Sequence, residues 1–330
     1  MASGLALQLS ESEKLYLIDG CADNCRLDGR EREDIRQYTI VTSSETTSAD
    51  GHPPLMLSNG SARLILSSSG STSTHILCSV KVEVMTPSQS QPNQGNLIVH
   101  VEDSLAANSS LSRKKNEEDR NRVQSIISEL LATNLIDLES LCIIPYHYAF
   151  NVSVDVEILS GTAGSIIDAC CHAIRAALQN TLLPKVVPSS IVNDAGTSMD
   201  PVGSSSSDLM LESDLSLAQT PSGIDNAAVV VTVTVCHRAL TNSYLLLLDA
   251  SLEEEACCFC QVHVAVDARE GTEPTICALR KTGNGSLPWE LLPEITALAV
   301  KAVPMTKSSF RVAGSSRNNA SLLQTQLDIQ

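Results

Sequence analysis

Cysteines, paired acids and a short basic run are the side chains in this sequence that could do chemistry. Cys170 and Cys171 are adjacent, and Cys257, Cys258 and Cys260 form a second group. No C-x-x-C pair recurs at the spacing of a structural zinc site, so free thiols packed as small apolar groups are the default reading. Asp168 and His172 stand four residues apart on a helical pattern. That spacing suits a metal, an acid–base couple or an ordinary intrahelical stabiliser, and no third ligand accompanies it. The densest basic stretch is Arg113, Lys114 and Lys115, followed by Arg120 and Arg122. Contact with an RNA backbone fits it, and so does a solvated helix start with internal charge pairing. Asp249, Glu253, Glu254 and Glu255 follow an apolar run. Carboxylates there could hold Mg²⁺ or act as a general acid, and a charged turn looks much the same. G-x-x-x-x-G-K, G-x-G-x-x-G after a strand, H-E-x-x-H and G-x-S-x-G are absent. Neither a cofactor nor a metal is expected.

The whole chain narrows these options. It has 330 residues, 38 Asp+Glu against 22 Lys+Arg, and a formal charge of −16. The length suits two structural units with ample core. The acidity excludes an autonomous, strongly basic nucleic-acid binder, though a local basic patch or basic partners could still hold RNA. No run approaches the ~20 apolar residues that span a bilayer, so no membrane association is expected. Met1 to Gly20 carries acids and lacks a basic segment leading into an apolar core, so no secretory signal is read there and the thiols are expected to be reduced.

The elements that must position these residues follow from periodicity. A short helix is expected before Gly20, then a strand ending near Val41 and a loop over 42–60. Ala62 to Leu66, Ile76 to Val84 and Leu97 to Val101 read as strands. In the second, Ile76, Cys78, Val80, Val82 and Val84 alternate with polar residues. Residues 102–116 read as exposed, with a helix from about Glu117 to Thr133. Two strands, Cys142 to Ile144 and Val152 to Leu159, precede the clearest helix, Ser165 to Asn180. Its apolar face carries Ile166, Ile167, Cys170, Cys171, Ile174, Ala177 and Leu178, and its polar stripe Asp168, His172, Arg175 and Gln179. Residues 191–223 read as a loosely held acidic, Ser-rich insertion. Strands at Ala227 to Cys236, Tyr244 to Leu248, Cys258 to Val266 and Thr275 to Arg280 then lead to a helix over Pro288 to Val303 and a polar, frayed tail from Lys307. The fold class is α+β in two similarly built halves of mixed sheet plus helices, each sheet with one solvated face. The expected division is an N-terminal helix and extension 1–24, a first half 25–190, an insertion 191–223, a second half 224–306 and a tail 307–330.

Ten co-linear segments together resemble the ribonuclease PH-like proteins. CRLDGREREDIR resembles their R-x-D-G-R-x-x-x-x-x-R opening. NGSARLIL, ILCSVKVEVMTP and QPNQGNLIVHVE resemble the first sheet. NLIDLESLCI, VSVDVEIL and AGSIIDACCHAIRAALQNTLLPKV look like the middle, and LLLLDASLEEEACC, VHVAVDA and CALRKTGNGSLPWELLPEI like the second half. The resemblance implies two halves related by duplication, on the fold shared with domain 2 of ribosomal protein S5. It also implies an ancestral enzyme that degrades RNA from the 3′ end with phosphate as nucleophile. Such an enzyme needs an anion pocket with a hydroxyl and an Arg at a helix start, and carboxylates that hold Mg²⁺. Ile166 and Ile167 fall where that hydroxyl and Arg belong, and aliphatic side chains cannot donate to phosphate. Asp249 matches the first carboxylate, while Glu255 stands where the second should be Asp. The resemblance therefore implies no catalytic residue of this chain's own, and a non-catalytic subunit of the exosome core ring, with a phosphate-dependent 3′-to-5′ exoribonuclease as the alternative. The implied partners are other ribonuclease PH-like ring subunits, RNA-binding cap subunits and single-stranded RNA in the assembled channel. The implied RNA contacts are Arg113, Lys114, Lys115, Arg120 and Arg122, and the implied locations are nucleus, nucleolus and cytoplasm.

Overall fold

The computed structural model describes residues 7, 9–42, 58–68, 72–103, 113–131, 135–188, 209–211, 217–238, 241–267, 269 and 272–312. Helix α1, Glu11–Ala22, opens on a capping box: the Ser10 hydroxyl accepts from the Glu13 N–H, and the Glu13 carboxylate accepts from the Ser10 N–H. Each member satisfies a donor that the first helical turn leaves orphaned. The helix runs through Gly20, the expected stop, to Ala22.

The first sheet collects β1 (Tyr38–Thr42), β2 (Gly60–Ser67), β3 (Ser73–Met85), β4 (Asn96–Asp103), β5 (Cys142–Ile144) and β6 (Tyr148–Gly161). Its order is β13-β1-β2-β3-β6-β4, with β5 pairing β6, where β13 is the C-terminal strand Phe310–Val312. All pairs are antiparallel except β1 with β13 and β4 with β6. The expected alternation of β3 holds at Ile76, Cys78 and Val80, all fully buried, and fails at Val84, which is exposed where the strand outruns the helices covering it.

Two helices cover the buried face of this sheet. α2 is Arg113–Leu131, so it starts four residues earlier than expected and takes in the basic run as its first turn, the helix start that was one reading of that run. Val123, Ile126, Ile127, Leu130 and Leu131 point into the core. α3, Ile166–Gln179, follows its expected span and buries the whole expected apolar face. Between the halves, β7 (Val186–Pro188) pairs with β8 (Leu209–Leu211), Leu183 bridges Gln219, and the Asp137 N–H donates to the Ser222 carbonyl. The C-terminal part of the acidic insertion is thus tied to the first half by backbone hydrogen bonds, a correction to a loosely held segment over all of 191–223. Residues 189–208 and 212–216 lie outside the described residues.

The second sheet has the order β10-β9-β11-β12 and is wholly antiparallel, from β9 (Val229–Arg238), β10 (Ser243–Leu248), β11 (Cys260–Asp267) and β12 (Thr275–Thr282). The expectation of one solvated face fails here. Val229 to Cys236 are all buried, because α2 and α3 cover one face and α5, Leu292–Ser309, covers the other. Val229, Val231, Val233 and Val235 pack with Ile295, Ala299, Ala302 and Val303 of α5, whereas Val230 joins the core around α3. A continuous β-branched run is the pattern of a strand covered on both sides. The layers are therefore sheet, helices, sheet, helix.

Two further corrections concern short elements. Leu252–Cys257 is a helix, α4, rather than a charged turn. Ser251 and Glu254 form its capping box, a signal legible as S-x-x-E. Of the tail expected to fray from Lys307, the first residues are structured: α5 continues to Ser309, and β13 then crosses to pair with β1 of the first sheet, while residues 313–330 lie outside the described residues.

Candidate functional site

The centre where the two halves meet is built around Asp249. It ends β10 in the left-handed region, with φ +45°, and its side chain is buried. The Arg36 Nη2 donates to Asp249 Oδ1 at 2.6 Å, and its Nε and backbone N–H each donate to Oδ2 at 2.8 Å. The Ser165 hydroxyl donates to Oδ1 at 2.8 Å, and Arg30 Nη1 to Oδ2 at 3.0 Å. Five donors meet about four lone-pair positions, so this carboxylate has none left for a metal ion. Burial pushes the Asp249 carboxyl up, but the hydrogen bonds and charge of Arg36 and the charge of Arg30 outweigh it and hold it at about 2.

A second ion pair sits beside it. Arg26 donates to Glu254 at 2.8 and 2.5 Å, and to the carbonyls of Leu248 and Asp249 at 3.0 and 2.8 Å. Both side chains are almost sealed from solvent. Arg30 also pairs with Asp28 at 2.6 Å. Arg26, Asp28, Arg30 and Arg36 are the charged members of the R-x-D-G-R-x-x-x-x-x-R opening. The sequence displayed their spacing, but Glu254 and Asp249, the acids that the three arginines meet, lie more than 200 residues away, so their role became visible only in three dimensions.

The N-terminal end of α3 completes the site. Gly164, with φ +79°, and Ser165, with φ +53°, make a left-handed turn into the helix. A Cβ on Gly164 would lie 2.8 Å from the Ala250 carbonyl oxygen, so only glycine lets the turn sit this close to the end of β10. Glu255, half-buried on α4, accepts from the Ser165 N–H at 2.8 Å. Burial raises the Glu255 carboxyl and the Ser165 N–H offsets part of that. The positive end of α3, where an external anion would bind, thus carries a carboxylate of the chain itself. Ile166 and Ile167 are both buried in the core and offer no donor. Four carboxylates (Asp28, Asp249, Glu254, Glu255) face three guanidinium groups (Arg26, Arg30, Arg36), a balance of one negative charge.

The remaining sequence candidates separate. Asp168 and His172 do not act together. Asp168 accepts from the backbone N–H and hydroxyl of Thr232 on β9, and burial raises its carboxyl to about 7 against those two bonds. His172 stacks edge-on against Tyr38 and Phe310, and burial lowers it to about 3. The expected polar stripe of α3 is thus buried at both positions, Asp168 by β9 of the second sheet and His172 by β1 and β13 at the edge of the first. Cys170 and Cys171 are buried thiols pushed up by burial. Among the described residues, no three His, Cys, Asp or Glu side chains converge in a metal-binding group. On α2, Arg120 lies 3.9 Å from Glu117 and Arg122 is exposed. The side chains of Arg113, Lys114 and Lys115 lie outside the described residues.

Comparison with known proteins places this geometry. The model for domain 1 of the 3′ exoribonuclease family matches residues 34–184, and the model for domain 2 matches residues 228–302. The chain belongs to this family, the ribonuclease PH fold with its two related halves. The exosome complex component Rrp42 of Sulfurisphaera tokodaii is 28% identical over 295 residues, which is 88% of this chain and 90% of that relative. The component of the same name from Methanopyrus kandleri is 27% identical over 277 residues, 84% of this chain and 87% of the relative. Among solved structures, a chain of an archaeal exosome core covers 91% of this chain and 96% of its own length, with TM-score 0.58 and 21% identity. A chain of an Archaeoglobus fulgidus exosome with RNA bound to the active site covers 90% and 97%, with TM-score 0.61 and 20% identity. These structures share the fold.

Proposed function

We propose that this chain is a non-catalytic structural subunit of an RNA exosome core ring, of the kind named Rrp42. It would support 3′-to-5′ RNA processing and degradation by completing the ring and lining part of its channel. The observation that carries the reading is the occupied end of α3. Glu255 takes the amide that an attacking phosphate would need, and Asp249 is saturated by Arg36, Arg30 and Ser165. An enzyme of this build needs both groups available: an open cationic pocket for the nucleophile, and a carboxylate with free lone pairs. The partners are other ribonuclease PH-like ring subunits, RNA-binding cap subunits and single-stranded RNA. A closed ring admits only unfolded 3′ ends, and basic side chains in its bore guide phosphates without reading bases. Arg113, Lys114, Lys115, Arg120 and Arg122 are the RNA-contact candidates, and the locations are nucleus, nucleolus and cytoplasm.

One observation favours the alternative, a phosphate-dependent exoribonuclease. Arg30 Nη2, beside Asp249, is buried with no hydrogen-bond partner. A phosphate reaching it would give that donor an acceptor. A phosphorolysis assay on the purified chain and on the assembled ring separates the two readings. The structural reading expects no phosphate-dependent release of nucleoside diphosphates from the chain, and ring activity unchanged by Asp249→Ala in assembled rings. Release that depends on Asp249 would sink it. Purification of the tagged chain with stoichiometric ring subunits is the expected result of a pull-down.

A further inference from the structure

Between α3 and the second sheet runs a chain of four polar side chains that the Asp249 network does not use. β10 pairs with β9 as far as Leu248 opposite Val233, and Asp249 then turns away with φ +45°. The next amide of β9, that of Thr232, has no rung of this ladder to join. The Asp168 carboxylate of α3 takes its place: Oδ2 accepts from the Thr232 N–H at 2.9 Å, and Oδ1 is in hydrogen-bond contact with the Thr232 hydroxyl. The same hydroxyl oxygen lies 2.7 Å from Nδ1 of His263 on β11, and Nε2 of that ring lies 3.0 Å from the hydroxyl of Thr282 on β12. Asp168, Thr232 and His263 are buried, whereas Thr282 is half-buried on the edge strand. Asp168 belongs to the first half and the other three residues to the second.

Counting hydrogens gives the chain a direction. Burial lowers the His263 imidazole to about 4, and the Arg280 charge adds to that, so near pH 7 the ring is neutral with one N–H and one bare nitrogen. An ionised Asp168 only accepts. The Thr232 hydroxyl then donates to Asp168, His263 Nδ1–H donates to Thr232, and the Thr282 hydroxyl donates to Nε2. With Asp168 protonated, Oδ1 becomes a donor and every link reverses: Thr232 donates to Nδ1, and Nε2–H donates to Thr282. The bond from the Thr232 N–H to Oδ2 is common to both states. Burial raises the Asp168 carboxyl to about 7 against its two bonds from Thr232, and the Asp249 and Glu255 charges raise it further. Tyr38 of β1 and Cys170 and Cys171 of α3 also face Asp168 and are neutral, pushed up by burial. Arg280, which faces His263, is paired with Glu129 of α2.

We propose that Asp168, Thr232, His263 and Thr282 form a proton-sensitive joint between the two halves, in which protonation of Asp168 moves His263 from the Nδ1–H to the Nε2–H tautomer. A proton from solvent enters at Thr282. The Thr282 hydrogen passes to Nε2, the Nδ1 hydrogen to the Thr232 oxygen and the Thr232 hydrogen to Asp168 Oδ1, and the incoming proton restores the Thr282 hydroxyl. No hydrogen bond is lost; what changes is the charge buried between the halves. Because the folded carboxyl lies above the ordinary 3.8, its protonated form favours the fold fully below that pH, and the advantage is lost as pH rises through about 7. The joint stands whether or not the chain is catalytic.

The test is nitrogen NMR of the full chain labelled at histidine, with His263 identified by the loss of its signals in His263→Gln. The ring nitrogen without a hydrogen resonates far downfield of the one that carries it. In the parent chain the two nitrogens of His263 are expected to exchange these positions in a single step near pH 7, with Nε2–H below it and Nδ1–H above. Asp168→Asn keeps an oxygen for the Thr232 N–H and turns an amide N–H onto the Thr232 oxygen, so it is expected to hold Nε2–H at every pH. Thr232→Val cuts the chain and is expected to leave one tautomer throughout. The proposal is overturned if His263 of the parent chain keeps one tautomer between about pH 5.5 and 8.5, or if both its nitrogens become protonated in that range. It is equally overturned if Asp168→Asn holds Nδ1–H, or if either variant retains the pH-driven exchange.

Discussion

The two ends of α3 solve opposite problems with the same kinds of side chain. At the N-terminal end, three arginines and four carboxylates are interlocked, and Asp249 accepts five hydrogen bonds. At the C-terminal end, Arg175 stands at a cavity wall with a buried nitrogen and no carboxylate to meet it. Position on the helix does not explain this, because the macrodipole favours anions at the first end and cations at the second. The difference lies in what the rest of the chain brings to each end. The R-x-D-G-R segment and the end of β10 converge on the first, whereas β1, β13 and the last turn of α5 bring Ile40, Thr42, Phe310 and Lys307 to the second. A charged group in this fold is locked into the structure where distant segments bring opposite charge to it.

That contrast can be broken by experiment. Arg36→Ala should have the largest effect, because it leaves Asp249 buried without its main partner. A loss of about 3–5 kcal/mol in urea unfolding is expected, and a loss below about 1 kcal/mol would show that the network is not structural. Acid should reach the same group. Because the folded pKa of Asp249, about 2, lies below the ordinary 3.8, its contribution is present above pH ~4 and lost as pH falls towards 2, to the extent of roughly 2 kcal/mol. Comparing stability–pH curves of the parent chain and Asp249→Asn checks this: the variant should lack that part of the acid limb. Glu255→Ala should cost about 1 kcal/mol, as loss of a helix-end acceptor does. It should also let phosphate protect the fold against heat where the parent chain shows no such effect; an identical response to phosphate would mean that Glu255 does not hold an anion position. The smallest change belongs to the other end. Arg175→Met gives up one hydrogen bond to a carbonyl but relieves an unpaired charge, so stability should move by no more than about 1 kcal/mol. A loss comparable to that of Arg36→Ala would erase the contrast.

Much of the scaffold was legible beforehand, and for physical reasons. The 3.6-residue stripe of α3 and the two-residue alternation of β3 are local consequences of burying one face, so periodicity located both. The buried place of Ile166 and Ile167 followed from the same stripe. The errors lie where a second surface intervenes. Asp168 and His172 read as a polar stripe because a sequence shows one helix and not the strands of the two sheets that cover these positions. α4 read as a charged turn, although its capping box was present in Ser251 and Glu254. β13 read as a frayed tail because its partner, β1, lies some 270 residues earlier.

By itself the sequence determined the order of the main strands and helices, the two halves and the burial of Ile166 and Ile167. Each of these depends on residue type and short-range spacing. Only the tertiary structure decided that Asp249 is saturated, that Glu255 turns back onto the start of α3, and that Arg175 is left without an acceptor. Whether a buried charge is paired depends on which distant segments arrive beside it, and no local pattern carries that information.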